Sequence, residues 1–84
     1  MRYVVNWSQV AVDDLARVFA IRSRDAQRVV LVVRSFGRDG SGDIKKLQGH
    51  ANEWRLRAGD WRVTMTIDGE NVWVDHVDNR RDAY

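Results

Sequence analysis

Trp54-Arg55-Leu56-Arg57-Ala58-Gly59-Asp60-Trp61-Arg62 is the stretch whose reading decides the fold. Trp54, Leu56 and Ala58 alternate with Arg55 and Arg57, which is the period of a β-strand with one apolar and one cationic face. Gly59-Asp60 supplies turn chemistry, and Arg62 opens a second strand beside Trp61. Guanidinium groups carried on a sheet make a rigid surface suited to anions.

Downstream, a second strand is expected over 61–67, where Val63, Met65 and Ile67 alternate with Arg62, Thr64 and Thr66. Asp68-Gly69 signals a hairpin. A third strand is expected over 71–77. Val72 and Val74 share a parity that Val77 breaks, so a β-bulge is expected near Asp75-His76. Trp73 has the opposite parity to its valine neighbours and is expected at the surface. Trp54 and Trp61 are expected to pack rather than to stack on bases.

Upstream, Arg2 to Asn6 suggests a short strand. Ser8 is expected to cap a helix over 9–21, with Ala11, Leu15, Val18 and Phe19 on its apolar stripe. Asp13 and Asp14 fall in its first turns, where the helix dipole favours anions. A second helix, capped by Ser23 or Asp25, is expected to run to about Phe36 through Ala26, Val29, Val30 and Val33. The run Val29-Val30-Leu31-Val32-Val33 also suits a strand. Helix is preferred because Arg24, Gln27, Arg28 and Arg34 then share a polar side. Gly37 to Asp43 is expected to be a loop, Ile44-Lys45-Lys46-Leu47 a segment with two apolar anchors and two lysines, and Gln48 to Asn52 a connector. The architecture expected is α+β: an N-terminal strand, a helical hairpin, then a three-strand antiparallel meander, in a single domain over 1–84 with the helices on one sheet face.

Composition narrows the function classes. With 84 residues the core is modest, yet 44% hydrophobic residues and four Trp support one. There is no Cys, which removes disulfides and thiolate zinc sites, and no apolar run reaches the ~18 residues of a membrane span. The start lacks the pattern of a secretory signal, so the expected compartment is the cytoplasm. The 14 Lys and Arg are nearly offset by 12 Asp and Glu, so attraction to an anionic partner must come from clustering rather than net charge. His50 and His76 are too far apart in sequence to suggest a metal-ligand pair. His50 is expected in solvent, and His76 is expected to be a structural strand residue.

Several segments together closely resemble the RelE/ParE toxin superfamily, in order and spacing across almost the whole chain. They are Tyr3-Val4-Val5-Asn6-Trp7-Ser8, Ala11 and Leu15, Leu47-Gln48-Gly49, Trp54 through Val63, and Asn79-Arg80-Arg81-Asp82-Ala83-Tyr84. The resemblance implies a twisted antiparallel sheet carrying an N-terminal helical hairpin, and a toxin of a type II toxin–antitoxin pair. RelE-type members cleave messenger RNA in the ribosomal A site; ParE-type members inhibit DNA gyrase. The arginine and tyrosine set favours the nuclease, with the gyrase inhibitor or a catalytically weak relative as the alternative. The implied partners are a cognate antitoxin that wraps the toxin, messenger RNA on the small ribosomal subunit, and operator DNA reached only through the antitoxin. No metal, cofactor or membrane is implied.

The resemblance also assigns roles. Arg62 matches the strand arginine that contacts the scissile phosphate, and Arg55 a basic position near the attacking oxygen. Arg80, or Arg81 one register along, matches the arginine after the last strand. Tyr84 matches the tyrosine that stacks on a base or aids proton transfer. Glu53, where well-known RelE-type enzymes are basic, is either a base or a salt-bridge partner. Arg57, Lys45, Lys46 and Arg81 are expected to grip the RNA backbone, although Arg57 fits an ordinary solvated strand face equally well. Asn79 stands where a histidine is common.

Overall fold

The computed structural model describes residues 2–49 and 52–79. The elements are β1 (Val4–Trp7), α1 (Gln9–Ile21), α2 (Ser23–Asp39), β2 (Asp43–Lys46), β3 (Glu53–Ala58), β4 (Trp61–Asp68) and β5 (Asn71–Asn79). They form an α+β fold with one five-stranded sheet in the order β1-β5-β4-β3-β2. Strands β2 to β5 are an antiparallel meander, and β1 lies parallel to β5.

Ser8 caps α1 as expected: its backbone is extended and its hydroxyl accepts from the Ala11 N–H at 3.1 Å. A single residue, Arg22, then joins the helices, ending α1 with its N–H on the Val18 carbonyl and receiving the first N–H groups of α2 on its own carbonyl. Neither Ser23 nor Asp25 is the cap of α2. The cap position is Arg22, which contributes no side-chain bond, and the Asp25 carboxylate instead accepts from Trp61 Nε1 at 3.0 Å. That bond fastens the start of α2 to the start of β4.

The ambiguous valine run is helical. Ala26, Val29, Val33 and Phe36 are buried at helical spacing, while Val30 and Leu31 face solvent. Val30 and Phe19, both expected on apolar stripes, are exposed, so each stripe is narrower than its sequence suggests. Helix α2 also continues three residues beyond Phe36, through what was expected to be loop, to Asp39. Gly37 permits this. A Cβ there would sit 2.7 Å from Val5 Cγ2, so the helix end and β1 approach each other only because that residue has no side chain. Its carbonyl accepts from the N–H groups of Arg2 and Tyr3, and the Tyr3 and Phe36 rings stack at 5.1 Å. Gly40, with φ +77°, then ends the helix in the left-handed conformation.

The sheet departs from expectation in two ways. Asp43–Lys46, expected to be a non-strand segment, pairs with β3 as a fourth antiparallel strand. The parallel partner β1 makes the sheet mixed rather than wholly antiparallel. Strand ends also move: β1 begins at Val4 and includes Trp7, β4 includes Asp68, and β5 runs to Asn79. The expected bulge is present. Thr64 pairs with His76 and Met65 with Val74, leaving Asp75 as the extra residue.

The core lies between the helices and one sheet face. It joins Ala11, Val18, Val29, Val33 and Phe36 to Leu56, Val63, Met65, Val72, Val74 and Val77, with Trp61 packed against it. Trp54 points to the same face but is only half-buried; Lys46 Nζ lies 5.9 Å from its ring centre.

Candidate functional site

Because the residues between the core positions point the other way, strand register alone assembles the open face. Across β2, β3, β4 and β5, one rung aligns Asp43, Arg57, Arg62 and Asp78. The next aligns Lys45, Arg55, Thr64 and His76. A third carries Glu53, Thr66, Trp73 and, on β1, Asn6. Trp73 is exposed there, as its parity predicts.

The first rung is electrostatically closed. Arg57 and Arg62 face each other directly, which is unfavourable for like charges. Each has an aspartate on its far side. The Arg62 Nε–Asp78 Oδ1 distance is 3.1 Å, with Arg62 only 13% exposed. Arg57 turns toward the hairpin and donates through Nε to the Gly59 carbonyl at 3.3 Å. The second rung is open: Lys45 and Arg55 stand opposite each other, and neither has a hydrogen bond or ion pair to another described residue. Adjacent cations without a counter-ion are a seat for an anion.

Lys45 and Lys46, expected to act together, are divided by the strand that carries them. Lys45 joins Arg55 on the open face, whereas Lys46 points to the helix side against Trp54. Arg80, Arg81, Tyr84 and His50 lie outside the described residues.

Beside the second rung is a cleft of about 350 Å³ lined by Ser8, Glu53, Thr64, Thr66, Asp75 and His76. The bulge builds this corner. Ser8 Oγ donates to the Asp75 carbonyl at 3.1 Å, Thr66 Oγ1 to the Asp75 carboxylate at 2.6 Å, and the Val77 N–H to Asp14 Oδ2 at 3.0 Å. Asp14, expected as a dipole partner, is instead the buried acid that holds α1 to β5; it also pairs with Arg17. The same Asp14 oxygen lies 3.9 Å from His76 Nδ1. Sequence reasoning placed His76 among structural residues, yet the Val77 parity break already implied that a bulge would turn His76 to the arginine face.

A second concavity, about 670 Å³, runs between α2 and β1. It is lined by Tyr3, Val5, Trp7, Val30 and Val33, with Arg34 and Arg38 beside them. It is apolar and carries no acid–base group. Among the described residues no cluster of His, Cys, Asp and Glu is placed to hold a metal, and no helix is long and apolar enough to cross a membrane.

A helical hairpin on one face of a mixed sheet, with a cationic rung on the other, defines a small α+β protein. No family model matches the chain. Toxin RelE3 of Methanocaldococcus jannaschii is 33% identical over 42 residues, which cover 50% of this chain and 48% of that protein, so the match spans about half the length of each. The toxin–antitoxin complex RelBE2 of Mycobacterium tuberculosis contains a chain that superposes with a TM-score of 0.80 at 25% identity, covering 95% of this chain and 100% of that one. The ParDE system of P. aeruginosa gives 0.70 at 13% identity, covering 93% and 96%, a likeness of fold. In sequence over about half its length, and in fold over nearly all of it, the chain is similar to RelE/ParE-type toxins.

Proposed function

We propose that this chain is the toxin of a toxin–antitoxin pair and that it cleaves messenger RNA in the ribosomal A site. The observation that carries the nuclease reading is the open cationic rung, Lys45 beside Arg55, one strand-step from Arg62 on a rigid sheet face. In the reaction the RNA 2′-oxygen attacks the adjacent phosphorus. A 2′-O–P bond forms, the P–O5′ bond breaks, and the products are a 2′,3′-cyclic phosphate and a 5′-hydroxyl. Arg55 and Lys45 hold the phosphate, and the developing charge on its oxygens is stabilised by guanidinium groups already in place. Arg62 joins them by exchanging Asp78 for a phosphate oxygen. Glu53, lining the adjacent cleft, takes the 2′-proton. Arg57 grips the backbone from the neighbouring rung, while Lys46 on the helix side contributes little. Arg80, Arg81 and Tyr84 enter this reading through the resemblance alone.

The partners follow from the same reading. A cognate antitoxin holds the toxin inactive and brings it to operator DNA, and the apolar α2–β1 groove flanked by Arg34 and Arg38 is a surface suited to such a protein. The site of action is the ribosome in the cytoplasm. Programmed ribosomes incubated with the protein should yield cut messages whose new 5′ ends map within the A-site codon. Intact messages, under conditions where a RelE-type relative cuts, would refute the nuclease.

The fold likeness to a ParDE protein supports one other reading, inhibition of DNA gyrase. The acid-closed Arg57–Arg62 rung fits a face that meets protein rather than RNA. Loss of gyrase supercoiling in a purified assay, with messages left intact, would establish it.

A further inference from the structure

We propose that His76 is the general acid of the cleavage step, protonating the 5′-oxygen as the P–O5′ bond breaks. The proposal rests on the RNA-cleavage reading above. Four observations place the imidazole there.

First, the bulge decides where His76 points. With unbroken alternation after Val72 and Val74, His76 would enter the core and Val77 would face out. The extra residue Asp75 reverses both: Val77 is 4% exposed and His76 faces the open side. Second, the bulge is fastened at three points. Ser8 holds the Asp75 carbonyl, Thr66 holds the Asp75 carboxylate, and Asp14 of α1 holds the Val77 N–H. Pairing with β4 resumes at His76 beyond the bulge, so the constraint fixes the direction of His76. Third, His76 ends the rung that begins Lys45–Arg55–Thr64 and lines the cleft shared with Glu53, so a phosphate on Arg55 has an imidazole along the same row. Fourth, Nδ1 lies 3.9 Å from the buried Asp14 carboxylate, which leaves Nε2 on the side of the ring away from Asp14. With 57% of its side chain exposed, the ring is accessible to substrate.

The step balances. Glu53 accepts the 2′-proton as the 2′-O–P bond forms, the electron pair of the P–O5′ bond goes to O5′, and His76 delivers a proton there. The charged groups around the imidazole are Asp14 of α1, Asp75 of its own strand, and Glu53 and Arg55 of β3. Arg17 neutralises part of the Asp14 charge.

The test uses the full chain, programmed ribosomes and two messages, one normal and one with sulfur replacing the 5′-bridging oxygen at the scissile phosphate. A thiolate leaves without a proton. His76→Gln should slow cleavage of the normal message about 10²–10⁴-fold and cut the sulfur-bridged message within about tenfold of wild type. A thermal melt matching wild type checks the fold, and His76→Asn serves as a second variant. Equal slowing of both messages, or a variant within twofold of wild type on the normal one, overturns the role of His76 while the nuclease reading stands. A wild-type protein that cuts neither message overturns both.

Discussion

Two neighbouring rungs of the same sheet face each set two cations side by side, yet they behave differently. Arg57 and Arg62 lie between Asp43 and Asp78, and the Arg62–Asp78 pair is made at 3.1 Å. Lys45 and Arg55, one step along, have no acid beside them in register. The contrast separates two uses of arginine. On the first rung Arg62 is paired with Asp78, and Arg57 turns its Nε to the Gly59 carbonyl. On the second the cations have no hydrogen bond or ion pair among the described residues. The resemblance assigns roles to both Arg62 and Arg55, whereas pairing separates them: Arg62 is engaged with Asp78, and Arg55 stands beside Lys45.

The comparison can be broken from either side. The largest effect is expected for Arg55→Ala, with cleavage down about 10²–10³-fold, as when one preorganised donor is removed from a transition state. Its unfolding free energy should stay within about 0.5 kcal/mol of wild type, the usual range for such surface changes. A urea melt beside the cleavage assay separates the two. Equal activity in Arg55→Ala would move the phosphate seat to the first rung.

Asp78→Asn tests the closed rung. Releasing Arg62 from its carboxylate should tighten binding of a short RNA by up to about fivefold, the equivalent of about 1 kcal/mol for a partly exposed pair. Fluorescence anisotropy at fixed salt reads this, and weaker binding would mean that Asp78 positions Arg62 rather than competing for it.

The two lysines of β2 offer a smaller and internally controlled comparison. Lys45→Ala should reduce the slope of log affinity against log salt by about 0.7, the value for one phosphate contact on a single strand. Lys46→Ala, on the opposite face, should leave that slope unchanged. Equal slopes in the two variants would contradict the division of the lysines between faces.

The smallest effect is expected far from the face, at the end of α2. Hydrogen bonds from Ser41, side chain first and then backbone, hold the Asp39 carboxyl below its usual 3.8, with nearby Arg38 and Arg2 adding to the shift. A depressed folded value stabilises the folded state above the unfolded pKa, and that contribution disappears as pH falls through the folded one. Asp39→Asn should therefore melt slightly lower than wild type at pH 6 and converge with it toward pH 2. A constant offset across that range would assign the effect to turn geometry instead of charge.

How much was legible in the sequence varies by element. The β3–β4 hairpin was readable because alternation is strong on both strands and the turn residues are unambiguous. The bulge was readable from one parity break at Val77. The strand β2 was not, since Asp43-Ile44-Lys45-Lys46 contains no alternating run and becomes a strand only because β3 offers it an edge. The continuation of α2 to Asp39 was hidden behind Gly37, a residue that usually interrupts helices and here is required by the approach of Val5. Asp14 suggested a helix-dipole partner because local sequence does not reveal that the Val77 N–H needs an acceptor 63 positions away.

At the site, Arg55, Arg57 and Arg62 were assigned to one face by period alone, and the register agrees. Sequence by itself thus determined the faces and the hairpins, because these depend on residue order at short range. Only the tertiary structure decided which cation has a counter-ion, that Lys45 and Lys46 part company, and that His76 stands in line with Arg55. Those depend on which strand lies beside which and in what register, a matter settled when the sheet closes over its core.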